Sequence, residues 1–531
     1  MSCLAILSIA FLHAHAAPVP KIDENTLVEA SDGAQSAAFS EALGSAGDVN
    51  GDGFDDILVG ARNDQGAGWL AGAVYLYLGS AQGVDLRTEQ KIVPPALAPT
   101  WSTNLGRAVS SAGDVNGDGY DDVIVGATGA AFVYLGGPSG LDLATELQLT
   151  GTMTLNYGGT VSGVGDVNSD GYDDVVVSDE GDHTLGWWAG AVYLYFGSAT
   201  GIDPNSEQKL LAPDGTLWDY FGASVSNAAD VNCDGYADIV VGAHEHTWAG
   251  ENPGAVYVFY GTPRGVAPNG YTKLTHPHSY LFDQFGRTVS AGDFDGDGCD
   301  DIAVGGGFSN ILTTHVFRGG PAGADPSSGF RVQDPTGAQG VWWAFAEAAG
   351  DVDGDGYDDL ILGARDDYSG PFSGSAYVLY GDQDALESPR ALRLVPSNGT
   401  PYSDFGFEVS TAGDVDGDGT DDVLVSADFT TYADGGDWVG QAYVYSCTTV
   451  WYADRDHDTH GDIDMPATGC DAPRGYVTTA DDCDDSDAGS FPGAYDTAND
   501  GIDQDCDGED ETCVGFFCLG DFGFGDMRFH L

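Results

Sequence analysis

Seven short stretches of this 531-residue chain set carboxylate or amide oxygens at alternate positions, the donor pattern of a hard divalent cation site. In the first, Asp48, Asn50 and Asp52 take positions 1, 3 and 5, the Phe54 carbonyl position 7 and Asp56 position 9. The second and third sets are Asp114, Asn116, Asp118, Tyr120 and Asp122, then Asp166, Asn168, Asp170, Tyr172 and Asp174. The fourth and fifth are Asp230, Asn232, Asp234, Tyr236 and Asp238, then Asp293, Asp295, Asp297, Cys299 and Asp301. The last two are Asp351, Asp353, Asp355, Tyr357 and Asp359, then Asp414, Asp416, Asp418, Thr420 and Asp422. Glycine holds position 6 in every copy, from Gly53 to Gly419, where the tight turn calls for a left-handed backbone. One Ca2+ is expected in each loop, held by side-chain oxygens and the position-7 carbonyl. Plain Asp/Gly turns would not need acids at alternating positions.

The elements around the loops are strands. An EF-hand opens with the same acids but requires a bidentate Glu at position 12 and flanking helices. Position 12 here is Val59, within the β-branched run Ile57-Leu58-Val59, and Val123-Ile124-Val125 and Val175-Val176-Val177 are its equivalents. The last acid of each loop therefore leads into a strand. Successive loops lie 66, 52, 64, 63, 58 and 63 residues apart, a period that suits a four-stranded blade with long connections. Each repeat contains an entering strand such as Phe221 to Ser226, the loop, a buried run, and a glycine-led aromatic strand such as GAVYLYLG from Gly72. A weaker outer strand ends the unit, as at Gln90 to Val93 and Arg393 to Val395. An extra outer-strand candidate, Thr26 to Glu29, precedes the first loop, and none follows Gln441 to Tyr445. The expectation is an all-β, seven-bladed propeller over residues 18–446 whose N-terminal strand closes blade seven. Radial repetition also solves a size problem, since some four hundred residues exceed what one core usually supports.

These repeats resemble the FG-GAP repeats of the integrin alpha-subunit propeller and of many secreted bacterial proteins. The first motif element stands at Phe221-Gly222, Phe285-Gly286 and Phe405-Gly406, with Leu105-Gly106 and Tyr157-Gly158 as variants. The second stands at Gly60-Ala61, Gly126-Ala127, Gly242-Ala243 and Gly363-Ala364. The proline of the second element is missing, and blades one and six carry Phe39-Ser40 and Trp343-Ala344 in place of the first, which puts local packing in question. The resemblance implies an adhesion or recognition role with structural calcium. Integrins carry the loop in only some blades, whereas every blade has one here. An integrin proper is not expected, because no membrane-spanning helix or further β-sandwich domain follows.

Composition narrows the partners. The 84 acids against 17 bases give a formal charge of −67. Nucleic acid and anionic membranes, which bind basic patches, are excluded. Residues 1–17 read as a signal peptide, with an apolar run from Leu4 to Leu12 before Ala14-His15-Ala16, although Lys and Arg are missing from its start. No later segment could span a bilayer. Secretion or attachment to the cell surface follows. Of nine cysteines, Cys233 and Cys299 sit inside loops of adjacent blades, and their pairing is left open without geometry. Six others crowd residues 447–531, a disulfide-stapled appendage.

That appendage, residues 447–512, repeats the acidic spacing. Asp454, Asp456, Asp458, the His460 carbonyl and Asp462 form one candidate site, and Asp503, Asp505, Asp507 and Glu511 another. Residues 482–508 resemble a Cys/Asp-rich metal-binding motif of secreted bacterial proteins, but Asn499 stands where that motif usually has a cysteine. Its disulfide pairing therefore cannot be carried over. Residues 513–531 remain unassigned.

Nine of the ten tryptophans map to loops on the face away from the acidic loops. Trp69, Trp187, Trp188, Trp248 and Trp438 fall between second and third strands, and Trp101, Trp218, Trp342 and Trp343 between blades. Exposed aromatics among carboxylates suit an extracellular protein or glycan, while rings packed over blade junctions are the structural alternative. His244 and His246, two apart in a loop, read as solvated surface. No catalytic constellation emerges, so the chain is expected not to be an enzyme. A calcium-dependent polysaccharide lyase or hydrolase on the same scaffold is the alternative. A lyase would need bases gathered at the axis, and 17 in all are few.

Overall fold

The computed structural model describes residues 22–31, 38–94, 103–151, 154–226, 228–246, 254–276, 284–308, 311–332, 346–365, 374–383, 386, 390–396, 404–431 and 438–447. Beyond the propeller it describes residues 450–468, 475–477, 479, 481–492, 494, 497, 502–504, 506, 512–514 and 517–519. Seven antiparallel sheets of four strands succeed one another. Blade one runs Phe39–Gly47, Asp56–Ala61, Ala73–Leu78 and Asp85–Ile92 from inside to outside. Blades two to six follow the same order, starting at Ala108, Tyr157, Phe221, Thr288 and Ala346. Each innermost strand packs on the innermost strand of the next sheet, and that of blade seven returns to blade one. The ring is closed.

Closure uses the predicted clasp. Ile22–Val28 pairs antiparallel with Trp438–Cys447, which pairs with Asp422–Thr431 and then Phe405–Gly413. Residues from the two ends of the propeller thus share one sheet. Trp438 therefore begins a strand, not the loop expected for it.

Why the middle strands form is plain from burial. Ile57–Val59 and Val74–Tyr77 are covered on both faces, so every residue contributes to a core. The outer strand Asp85–Ile92 is polar and partly exposed until Ile92. Apolar side chains gather into seven separate clusters, one at each junction between neighbouring blades. Phe221 is fully buried with its ring edge-on to Tyr257 at 5.7 Å, and Phe405 meets Tyr443 at 5.3 Å. Such pairs add about 0.5–1.5 kcal/mol beyond burial. Phe39 in blade one is equally buried and meets Tyr75 at 5.4 Å, so Phe39-Ser40 keeps the packing. Ser40 adopts a φ of 71° there. Trp343-Ala344 lies outside the described residues.

The three described lysines play one part. Lys91, Lys209 and Lys273 reach Asp64, Asp182 and Asp214 at 2.9, 2.6 and 2.7 Å while lying over Tyr75, Tyr193 and Tyr257. Residues 450–477 contribute a three-stranded sheet, and Thr512–Val514 with Phe517–Leu519 forms a hairpin. No described helix is long and apolar enough to cross a membrane.

Candidate functional site

All seven acidic loops join the first strand of a blade to the second, so they open on one face. Each loop grips its own first carboxylate. In blade one the Gly51 and Asp52 N–H groups donate to Asp48 Oδ1 at 2.7 and 3.1 Å, and Gly53 N–H donates to Oδ2 at 2.8 Å. Asp114 and Asp414 repeat this bond for bond. Asp166, Asp230, Asp293 and Asp351 each accept from positions 5 and 6. The position-5 carboxylate accepts from the position-7 N–H, as at Asp52 and Phe54.

The remaining oxygens test whether a cation fits. Asn50 Oδ1, Asn116 Oδ1, Asp353 Oδ1, Asp418 Oδ2, Asp301 Oδ2 and Asp422 Oδ1 are buried acceptors without a hydrogen-bond donor. Buried polar atoms are seldom left so. In blades five, six and seven, carboxylate oxygens of Asp293, Asp295 and Asp297, of Asp351, Asp353 and Asp355, and of Asp414, Asp416 and Asp422 lie within 4.8 Å of one another. One ion with ligands at about 2.3–2.6 Å spans that gap. The donors are all oxygen, and they fit calcium.

Position 9 has a second task. Asp56 is fully buried, accepting from Val49 N–H at 3.1 Å and from Gly79 N–H at 2.8 Å, which ties the loop to the end of the third strand. Asp122, Asp174, Asp238 and Asp359 do the same. Burial pushes the Asp56, Asp174 and Asp301 carboxyls up to about 8 and those of Asp122 and Asp238 to about 7, against these backbone bonds. Asp359 and Asp422 are raised for the same reason.

Position 8 was not singled out from sequence, yet it joins the blades. Asp121 Oδ2 accepts from Asp48 N–H at 2.9 Å, while Asp121 N–H donates to the Asp48 carbonyl at 3.2 Å. The same two-way link recurs through Asp173, Asp300, Asp358, Asp421 and Asp55, the last returning from blade one to blade seven. Only the joint of blades three and four lacks the side-chain half, because Ala237 stands at position 8. The repeated Asp-Asp doublet was the available signal.

A third contact crosses most of the joints. At four joints the position-7 ring of one loop covers the position-4 glycine of the loop before it. A Cβ on Gly51 would lie 2.7 Å from the Tyr120 ring, and Gly117, Gly296 and Gly417 face Tyr172, Tyr357 and Phe54 in the same way, while Thr420 replaces the ring against Gly354. At the joint of blades four and five those two positions are Cys233 and Cys299, and the structure bonds them as a disulfide with a Cα–Cα distance of 5.0 Å. In loops five and six an arginine meets the position-3 acid, with Arg318 3.0 Å from Asp295 and Arg390 2.8 Å from Asp353.

Comparison with known families agrees with this geometry. FG-GAP repeat descriptions match residues 204–259, 285–324 and 343–379, and an FG-GAP-like repeat matches 48–125 and 114–177. The chain carries FG-GAP repeats. Residues 482–511 match a metal-binding motif. The chain is similar to integrin alpha-4 of Xenopus laevis, 30% identical over 239 residues that cover 41% of this chain and 21% of that protein. It is 29% identical to integrin alpha pat-2 of Caenorhabditis briggsae over 286 residues, 48% of this chain and 22% of the relative. Integrin alpha-6 of Gallus gallus is 34% identical over 140 residues, covering 24% and 12%. The chain thus spans about a fifth or less of the length of these relatives.

The structure explains the FG-GAP name physically. A Cβ on the second-element glycine Gly242 would meet the Gly286 carbonyl at 2.1 Å, and Gly286 is the first-element glycine of the next blade. The two motif elements are the two sides of one close blade-to-blade approach, where only glycine fits.

On the opposite face, the FG-GAP blades three and four build an aromatic platform. Trp188 stacks on Trp218 at 6.3 Å and lies 5.6 Å from Tyr220, which meets His244 at 5.3 Å. Trp188, Trp218 and Tyr220 have φ of 58°, 69° and 54°, rare for bulky residues. Trp69, Trp187 and Trp218 are 75%, 64% and 49% exposed. Trp101, Trp248, Trp342 and Trp343 lie outside the described residues. His246 is not on the surface as expected. It is 2% exposed, with Nδ1 3.0 Å from the buried Asp219 and Nε2 2.9 Å from Lys273 Nζ.

In the appendage, Cys483 and Cys506 form a disulfide. Asp454 Oδ1 and Oδ2 accept from Asp458 and Thr459 N–H at 3.1 and 3.2 Å, reproducing the propeller loop pattern. Asp503 is described, whereas Asp505, Asp507 and Glu511 lie outside the described residues.

Proposed function

We propose that this chain is an extracellular recognition or adhesion propeller in which calcium is structural, one ion to a blade. The ligands are the side chains at positions 1, 3, 5 and 9 and the position-7 carbonyl. One observation carries the reading: buried, donorless oxygens recur in loops that are hydrogen-bonded to one another around a closed ring. Empty, such a loop holds three or four acids in mutual repulsion. Filled, it becomes a brace between strands. Its carboxylates are turned to backbone N–H groups and to this ion, which leaves them unsuited to catalysis. Export fits the apolar N-terminal run and the two disulfides.

The partner surface is the platform of Trp187, Trp188, Trp218 and Tyr220, where large exposed rings lie among acids. A protein or glycan would bind there by stacking and apolar burial. Replacing Trp187 and Trp218 together with Ala should abolish capture of an extracellular protein or glycan and leave the melting temperature nearly unchanged; a large fall in melting temperature would make the rings structural.

Chelation tests the calcium. At tenfold excess over the dissociation constant each site adds about 1.4 kcal/mol, so the ring gains on the order of 10 kcal/mol. EDTA should lower the melting temperature by about ten degrees, and an unchanged melting curve would end the proposal.

A further inference from the structure

The appendage has buried carboxylates that neither the propeller nor its loops account for. Asp454 is 5% exposed, and Asp482 and Asp485 are each 9% exposed. Asp482 and Asp485 come from the disulfide-bonded segment, some twenty residues beyond the acidic loop that starts at Asp454. The fold brings them to it. Asp482 N–H donates to the Gly461 carbonyl at 3.2 Å, Arg455 N–H donates to Asp485 Oδ1 at 2.7 Å, and the His460 ring stacks on Phe491 at 5.1 Å. Carboxylate oxygens of Asp454, Asp456 and Asp485 then lie within 4.8 Å of one another.

The inner oxygens have no donors. Asp482 Oδ2, Asp485 Oδ2, Asp458 Oδ2 and both oxygens of Asp456 are buried without a hydrogen bond. Arg455 Nε stands 3.6 Å from Asp485 Oδ2, but its side chain is 60% exposed, so most of the acidic charge is left uncompensated. Several buried acids around unsatisfied oxygens demand a cation.

We propose that Asp454, Asp456 and Asp458 of the loop join Asp482 and Asp485 of the disulfide-bonded segment in one composite calcium site. The proposal rests on reading residues 454–462 as a cation loop, and it adds that the loop is incomplete alone. The donor chemistry selects the ion. The ligand atoms gathered within 4.8 Å are the carboxylate oxygens of Asp454, Asp456 and Asp485, with no imidazole among them, and Cys483 is tied to Cys506, so no thiolate is offered. Carboxylates alone favour calcium, magnesium or manganese over copper, and this many acids with a backbone carbonyl favour calcium. The ion would clamp the three-stranded sheet to the disulfide-bonded segment, as the propeller loops brace their blades.

Hydrogen exchange on the full chain, followed by mass spectrometry during a calcium titration, tests this directly. Residues 454–462 and 481–487 should gain protection together at one calcium midpoint. Asp485→Asn and Asp482→Asn should each raise that midpoint for both segments by at least about tenfold, a loss that even an outer partner of a metal commonly causes. Protection of the seven propeller loops, read in the same spectra, should be untouched by either change, which separates this site from the propeller reading. An intact Cys483–Cys506 peptide under non-reducing conditions shows that the segment still forms. Two separate midpoints in the parent protein, loop protection unaltered in Asp485→Asn, or protection by copper and not by calcium would each overturn the proposal.

Discussion

Calcium uptake should release protons, and the number can be worked from the position-9 carboxylates. Burial holds Asp56, Asp174 and Asp301 near 8 and Asp122 and Asp238 near 7, with Asp359 and Asp422 also raised. At pH 7 a carboxyl at about 8 is roughly nine-tenths protonated, and one at about 7 is half protonated. A metal ligand must be deprotonated. From the five carboxyls near 7 and 8 alone, filling the ring at pH 7 should therefore expel roughly four protons per molecule, and those same five should give up fewer than one at pH 9. Moving such a group from 3.8 to about 8 corresponds to on the order of 5 kcal/mol for ionising it in place. The sign for stability follows. These acids are raised above their unfolded value, so the metal-free ring keeps their contribution below about pH 4 and loses it as pH climbs to about 8. The metal-free protein should thus melt higher at pH 5 than at pH 8, and the calcium-loaded protein should reverse that order. Calorimetric titration of calcium at pH 7 in two buffers of different ionisation enthalpy counts the protons. Equal heats in both buffers would refute the reasoning.

Three substitutions probe the joints. Asp121→Ala leaves the Asp48 N–H without its side-chain acceptor and should cost about 1–3 kcal/mol in urea unfolding; a cost no greater than that of a surface change would deny the ring of links its role. Phe221→Ala empties the junction of blades three and four and should cost about 3–5 kcal/mol in the same measurement. Cys299→Ser removes the cross-link between blades four and five, and a loss of about 2–4 kcal/mol is expected by thermal unfolding, with no further loss on adding a reductant to that variant beyond the effect on Cys483–Cys506.

What could be read from sequence was whatever repeats locally. The nine-residue loop carries its own turn, its ligands and its exit into a strand, so seven copies gave the blade count, and the unmatched outer strand gave the closure. Contacts between repeats were harder. Asp121 meets Asp48 across 73 residues, and nothing near either one announces the bond, although the Asp-Asp doublet recurs in six loops. The Cys233–Cys299 pair became legible only once Gly51 and Tyr120 showed that positions 4 and 7 of adjacent loops touch. Outer strands were placed too short, because Asp85–Ile92 is a polar edge with one buried residue to mark it. His246 was misplaced for the opposite reason. A polar loop sequence hid a buried imidazole held by Asp219 and Lys273 from other segments.

The clasp has a mechanical consequence. Ile22 lies opposite Cys447 and Val28 opposite Ala442, so the chain enters and leaves the disk at one corner. A pull between whatever precedes Ile22 and whatever follows Cys447 would peel that strand pair open one hydrogen bond at a time, instead of loading all of them at once in shear. The seam that seals the ring is also where tension would open it first.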